Sequence, residues 1–332
     1  MEYRRIGETD LKCSVITFGA WAIGGWKWGG SDRNEAVKAI RAAYEMGVTS
    51  IDTAPAYGQG LSEEIIAEAL QEIPRDKVQI LTKYGLRWDV KEGEFYFKTM
   101  SNDGKELDMY KLSSKKSIFW ECENSLQRLK TDYIDLYQAH WHDSTTAVSE
   151  TMEAMIKLKE QGKIREAGVC NYSVALMQEA EKTFKLASDQ VPYSMILRQI
   201  EKDLAPYCIE NKKSIIAYSP LQRGLLTGKI KPGHVFSGDD HRRELNYFSD
   251  ENIARVNRML NSLRPLAENK GATLPQLVLR WTIDQPGITL ALAGARNADQ
   301  AIDNAKAANI KLSPEEIAFT NTQLQKLQLA PA

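Results

Sequence analysis

The segment YIDLYQAHWHDS, residues 133–144, sets His140, Trp141, His142 and Asp143 side by side in a chain that has only 4 histidines. If the apolar run before them is a β-strand, side chains two apart share a face, so His140 and His142 look toward one point. Such a pair at a strand end suits a metal site, an acid–base catalyst or a group that orients a substrate. Other ionisable side chains end similar runs: Asp52 closes TSID, Lys83 closes VQILTK, and Tyr57 follows Asp52 in DTAPAY. A carboxylate beside a lysine keeps both charged, and the lysine cation can lower the pKa of an adjacent tyrosine from about 10. A tyrosine tuned in that way is a general acid able to protonate a carbonyl oxygen as a hydride reaches carbon. Alone, Asp52 or Lys83 reads as a solvated rim residue; together the four read as a site.

These residues need elements that bring them together. The runs 15–19, 49–52, 78–83, 133–140, 165–169, 189–194, 214–220 and 288–294 read as strands. Helical stretches alternate with them. Residues 33–46 carry a stripe of Val37, Ile40 and Tyr44 with Gly47 as stop, and Ser62 reads as the N-cap of a second helix with Glu63 and Glu64 in its first turn. Further helices are expected over 115–129, 149–161, 174–185, 201–211, 251–269, 274–283 and 298–307, while 85–113 and 222–250 read as long polar loops. Eight strand–helix units predict an α/β fold, a (β/α)8 TIM barrel, as a single domain over 1–332. The segment MEYRRIG…LKCS reads as a small β-hairpin closing the barrel bottom. A doubly wound dinucleotide fold would show G-x-G-x-x-G after the first strand, whereas FGAWAIGGWKWGG spaces its glycines differently. In a barrel, chemistry gathers at the C-terminal strand ends, where Asp52, Lys83 and His140 fall.

Composition narrows the partners. A formal net charge of -1 without a long basic block argues against nucleic acid or an anionic membrane surface. No apolar run is long enough to span a bilayer. Cys13, Cys122, Cys170 and Cys208 are scattered, as in a cytoplasmic protein with reduced thiols. No metal is expected: H-x-H sites need further ligands from later strands, and His234 and His241 lie in the 222–250 loop. Trp21, Trp26, Trp28 and Trp88 on loops above the barrel suggest an aromatic cup for substrate, with Trp141 in its wall.

The blocks IDTAPAYG, ILTKYG, DLYQAHW, GVCNYS, AYSPLQRGLLTGK and AGARNADQAIDN, in this order, resemble the signatures of the aldo-keto reductase superfamily, most nearly its bacterial general-stress-protein type. The resemblance implies NADP(H)-dependent reduction of aldehydes or ketones, including sugar or polyol carbonyls, with NAD(H) as the lesser cofactor. It makes Tyr57 the proton donor, Lys83 paired with Asp52 its modulator, and His140 the group that orients the carbonyl. It places Tyr218 against the nicotinamide, Asn171 and Gln190 at its carboxamide, and Ala20 and Trp21 at its border. Ser219, Leu221, Lys229 and Arg242 fall to the diphosphate and ribose region, Arg296 to a 2′-phosphate, and Gln300 and Asn304 to the adenine. A guanidinium fork suits a dianionic phosphate. Gly294 and Gln300 stand where one branch carries basic residues, His142 where proline is common after HW, and Cys170 where serine is common. A second reading is a nicotinamide-sensing subunit resembling the β subunits of potassium channels, which share this barrel and keep these four residues.

Overall fold

The computed structural model describes residues 1–331. Eight parallel strands close on one another: β3 (Ile16–Gly19), β4 (Ser50–Asp52), β5 (Gln79–Tyr84), β9 (Ile134–Ala139), β10 (Ile164–Cys170), β11 (Ser188–Pro192), β12 (Ser214–Tyr218) and β13 (Ile288–Gly294), with β13 pairing back onto β3. Closure runs in register from Ala291 opposite Ile16 to Gly294 opposite Gly19. The outer ring comprises α1 (Arg33–Glu45), α2 (Leu61–Ala69), α3 (Lys115–Leu129), α4 (Val148–Glu160), α5 (Val174–Glu181), α6 (Leu204–Glu210), α8 (Leu274–Ile283) and α9 (Ala298–Lys306). The hairpin β1 (Tyr3–Arg5) and β2 (Lys12–Ser14) caps the opposite mouth. It packs Ile6, Leu11 and Cys13 against Leu81, Leu136, Ile216 and Leu290, which fill the barrel interior.

Strand pleat decides what faces inward. Because alternate side chains share a face, Leu136, Gln138 and His140 follow one another up the inside. Tyr137 and Ala139 pack outward in the core beneath the helices. The same parity puts Leu81 and Lys83 inside and Ile80 outside, and sets Asp52 inward with Ile51 outward. Burial on both faces is why these strands read as near-continuous apolar runs.

Four local expectations change. Ser62 is not a cap: α2 begins at Leu61 after Gly60, whose φ is +99°. Ser62 lies in the first turn, and its hydroxyl donates to the Ala20 carbonyl at 3.0 Å, tying α2 to the loop after β3. The 85–113 loop is instead a three-stranded antiparallel sheet of β6 (Leu86–Arg87), β7 (Glu94–Met100) and β8 (Glu106–Lys111), joined between β7 and β8 by the Asn102–Asp103–Gly104 turn. Its two-residue alternation was masked by charged residues on the exposed face. The stretch 201–211 is interrupted, a 3₁₀ turn at Gln199–Lys202 preceding α6. A terminal helix, α10 (Pro314–Gln325), follows a capping box made by Ser313 and Glu316, and it packs on the extra helix α7 (Asp250–Asn269).

Candidate active site

At the C-terminal mouth the Lys83 ammonium donates to Asp52 Oδ1 at 2.6 Å and to the Thr53 carbonyl at 2.8 Å, with both charged side chains about fully buried. Gln190 donates to Asp52 Oδ2 at 2.7 Å. One strand's cation and another's amide therefore hold the carboxylate on both oxygens. The Lys83 nitrogen lies 5.0 Å from the centre of the Tyr57 ring, and the His140 ring meets that ring edge-on at 5.8 Å. Tyr57 is not on a strand, so its placement needs the loop. Gly58, with φ +68°, sits where an added Cβ would lie 2.2 Å from the Gly24 carbonyl oxygen, and Asn102 of the inserted sheet donates to that oxygen at 2.8 Å. Only glycine permits this approach, which pins the tyrosine over Lys83.

Electrostatics correct one expectation. Burial pushes the Tyr57 hydroxyl up to about 12, and the opposing pull of Lys83 does not bring it below the ordinary value. Burial also works against the charge of Lys83, but Asp52 outweighs it and holds the ammonium above its usual range. Burial, aided by the Lys83 charge, drives the His140 imidazole well below its ordinary pKa, so it is neutral at pH 7. The set offers one protonated hydroxyl, one neutral imidazole and one permanent cation beneath them. Cys170 at the end of β10 is inert, because burial raises its thiol well above the usual range.

A cleft of about 1210 Å³ runs from this cluster across the barrel top. Ala20, Trp21, Asp52, Tyr57, His140, Trp141, Asn171, Gln190 and Tyr218 line it, as do Ser219, Leu221, Lys229 and Arg242, and Gly294, Arg296, Gln300 and Asn304. Asn171, held at φ +60°, donates to the His140 carbonyl and accepts from the Tyr218 hydroxyl at 3.0 Å. Arg296 donates to the Gly30 carbonyl at 2.6 Å and has most of its five N–H groups left over. Arg242 differs from expectation: its guanidinium is clamped on Asp240, as close as 2.6 Å, so its charge is already balanced. Trp88 does not line the cleft. It packs on the cluster of Trp26, Leu86 and Met109 under the inserted sheet, because the turn after β6 carries it away from the mouth.

Of the HWHD run, His140 and Trp141 line the cleft, while His142 turns aside to meet Tyr172 edge-on at 5.9 Å. Asp143 accepts from the backbone of Ser113 and Thr145 and from the Thr146 hydroxyl, a structural turn. Among the described residues no group of three or more His, Cys, Asp or Glu is placed to hold a metal. Among the cleft residues that sequence reasoning missed are Arg223 and His241. The loop after β12 folds over the site, stacking His241 on Trp21 at 4.9 Å with its Nδ1 on the Lys27 carbonyl at 2.7 Å. Asp239 accepts from the backbone of Lys27 and Gly29, fastening that loop to the one after β3. No local pattern signals such a contact between segments over two hundred residues apart.

Behind the site, Glu121 of α3 accepts from the Gly85 N–H with both oxygens at 3.1 Å, just beyond Lys83. Burial raises its carboxyl from 4.5 to about 7 against the pull of Arg87. The folded state then holds this proton more tightly than the unfolded chain, so stability falls as pH rises from about 4.5 to about 7. Glu121→Gln keeps an acceptor for Gly85, and its melting temperature should exceed wild type at pH 8 but not at pH 4.5. An equal change at both pH values would remove this account.

Closed barrel, buried Lys–Asp pair and facing tyrosine and histidine define an oxidoreductase-type site. The Aldo/keto reductase family model matches residues 15–322, and the chain belongs to that family. It is 39% identical over 327 residues to the aldo-keto reductase YhdN of Bacillus subtilis, covering 98% of this chain and 94% of that one. It is 36% identical to the NADH-specific methylglyoxal reductase of Escherichia coli, covering 97% and 98%. The solved glycerol dehydrogenase AKR11B4 of Gluconobacter oxydans superposes with a TM-score of 0.88 at 36% identity, over 99% of this chain and 97% of that one.

Proposed function

We propose that this protein is a cytoplasmic, single-domain reductase of small aldehydes and ketones, including sugar- and polyol-type carbonyls, that uses NADP(H) in preference to NAD(H). The observation that carries the reading is the buried Lys83–Asp52 pair beneath a cleft-facing, protonated Tyr57 with neutral His140 at its edge. When bound, the reduced nicotinamide supplies the hydride. His140 donates a hydrogen bond to the carbonyl oxygen and sets it beside the Tyr57 hydroxyl. Tyr57 passes its proton to that oxygen as the alcohol forms, and Lys83 stabilises the phenolate left behind. Asp52 keeps Lys83 charged.

The donor set fits the cofactor. Tyr218 offers an aromatic face, one cleft is lined by both Tyr57 and Arg296, and the exposed Arg296 presents free guanidinium donors at its end of that cleft. Support for NADP(H) comes from Arg296, since a planar cation at that end pairs with a phosphate dianion. The E. coli relative is named for NADH specificity, so the test is direct: titrate NADPH and NADH by quenching of tryptophan fluorescence. Arg296→Ala should weaken NADPH about 10- to 100-fold while NADH changes little. Equal affinity for both cofactors in wild type would overturn the preference, and binding of neither would overturn the reductase reading.

A further inference from the structure

Two cations at the barrel mouth carry carboxylate partners. Lys83 sits on Asp52 and Arg242 on Asp240. Arg223 also lines the cleft, with its guanidinium 5.9 Å from the centre of the Trp21 ring, yet its Nε is buried without an acceptor. Among the described residues no carboxylate comes within ion-pair distance of it. Burial works against its charge. Three neighbouring acids are committed elsewhere: Asp52 to Lys83 and Gln190, Asp239 to the backbone of Lys27 and Gly29, and Asp240 to Arg242.

The backbone points the same way. Gln222 and Arg223 are consecutive non-glycine residues in the left-handed region, at φ 45° and 54°, which breaks the 3₁₀ segment after β12. Such residues persist only where their surroundings enforce them, and they cluster at ligand sites. Here Arg242 donates to the Arg223 carbonyl at 3.1 Å, and Ser194 holds the Gln222 side chain at 3.0 Å. The chain accepts strain, and the strain sets an uncompensated guanidinium over the cleft.

A guanidinium stays protonated, and burying it unpaired is unfavourable, so an incoming anion relieves both penalties. We propose that Arg223 is the anion receptor of the substrate pocket, binding a carboxylate or phosphate carried by the carbonyl compound that Tyr57 protonates. Position favours the substrate over the cofactor's diphosphate as the source. The Trp21 ring that lies under Arg223 is stacked 6.1 Å from Tyr57, the proton donor of the proposed reaction. A short aliphatic chain between acid group and carbonyl suits two groups that flank one shared ring. The carbonyl half of this proposal rests on the reductase reading; the anion site does not.

The test compares 4-oxobutanoate with its methyl ester in wild type, Arg223→Ala and Arg223→Lys, with NADPH binding measured alongside. Wild type should favour the acid, and Arg223→Ala should raise the KM of the acid about 10- to 100-fold while the ester loses far less. Arg223→Lys should recover part of the preference, and NADPH binding should shift little. Independently of turnover, 4-hydroxybutanoate should saturate a change in tryptophan emission in the wild-type complex with NADP⁺ and not in Arg223→Ala. Parallel losses for acid and ester with weakened NADPH binding would assign Arg223 to the diphosphate and overturn the proposal. So would a wild type that neither prefers the acid nor binds 4-hydroxybutanoate. If neither aldehyde is reduced but 4-hydroxybutanoate binding still needs Arg223, the reductase reading fails and the anion site stands.

Discussion

Tyr57→Phe should leave cofactor binding near wild type and lower carbonyl reduction by about 10²- to 10⁴-fold, the usual contribution of a positioned general acid. The ring itself stacks near Trp21 and lies over Lys83, and phenylalanine preserves both contacts. What disappears is the hydroxyl proton that sits between a neutral imidazole and a buried cation. A phenol pushed to about 12 stays protonated throughout the working range, so the reductive rate should be flat with pH until well above 10. The reverse reaction needs the phenolate as base, so alcohol oxidation should climb steadily with pH toward about 12. Steady-state rates in both directions across pH 6–10 check this. Turnover in Tyr57→Phe within a few fold of wild type would remove the tyrosine as donor. Slow turnover in the wild type itself, with the cofactor tightly retained, would instead favour a sensing role.

Lys83→Met should be damaging twice. It strands the Asp52 carboxylate inside the barrel with only the amides of Gln190 and Gln138 for company. Breaking a buried pair in this way costs about 3–5 kcal/mol. It also removes the one cation that opposes the effect of burial on Tyr57, so the phenol should move above about 12 and not return to its ordinary value. Two measurements separate the effects. The denaturation midpoint should fall in Lys83→Met and recover in large part in Lys83→Met with Asp52→Asn, where no lone charge remains. Oxidation should stay crippled in both, with its pH dependence displaced upward. Recovery of activity along with stability in the double variant would show that Lys83 only holds the barrel together.

The barrel and most of its element positions were legible because both depend on local periodicity. Helices 115–129 and 274–283 and the strand 288–294 appear where the pattern put them. The inserted sheet did not, because its alternation is diluted by Lys98, Glu106 and Asp108 on a surface with no core to demand apolar residues. Asp52, Lys83 and His140 were findable because each ends a strand, and strand ends in a barrel face one mouth. Tyr57 gained its place from the resemblance and from proximity to Asp52 in the chain, since the Gly24–Gly58 contact that positions it leaves no trace in sequence spacing.

By itself the sequence determined which way each strand residue points, because a two-residue pleat and a 3.6-residue helix are properties of the local chain. That is enough to bring Asp52, Gln138, Lys83 and His140 to one face. Only the tertiary structure decided how those groups behave: that burial outweighs Lys83 at Tyr57, that Asp240 neutralises Arg242 while Arg223 keeps its charge, and that Trp88 packs away from the cleft as His241 swings onto Trp21. Protonation and pairing depend on desolvation and on partners far apart in the chain, and neither is a property of neighbouring residues.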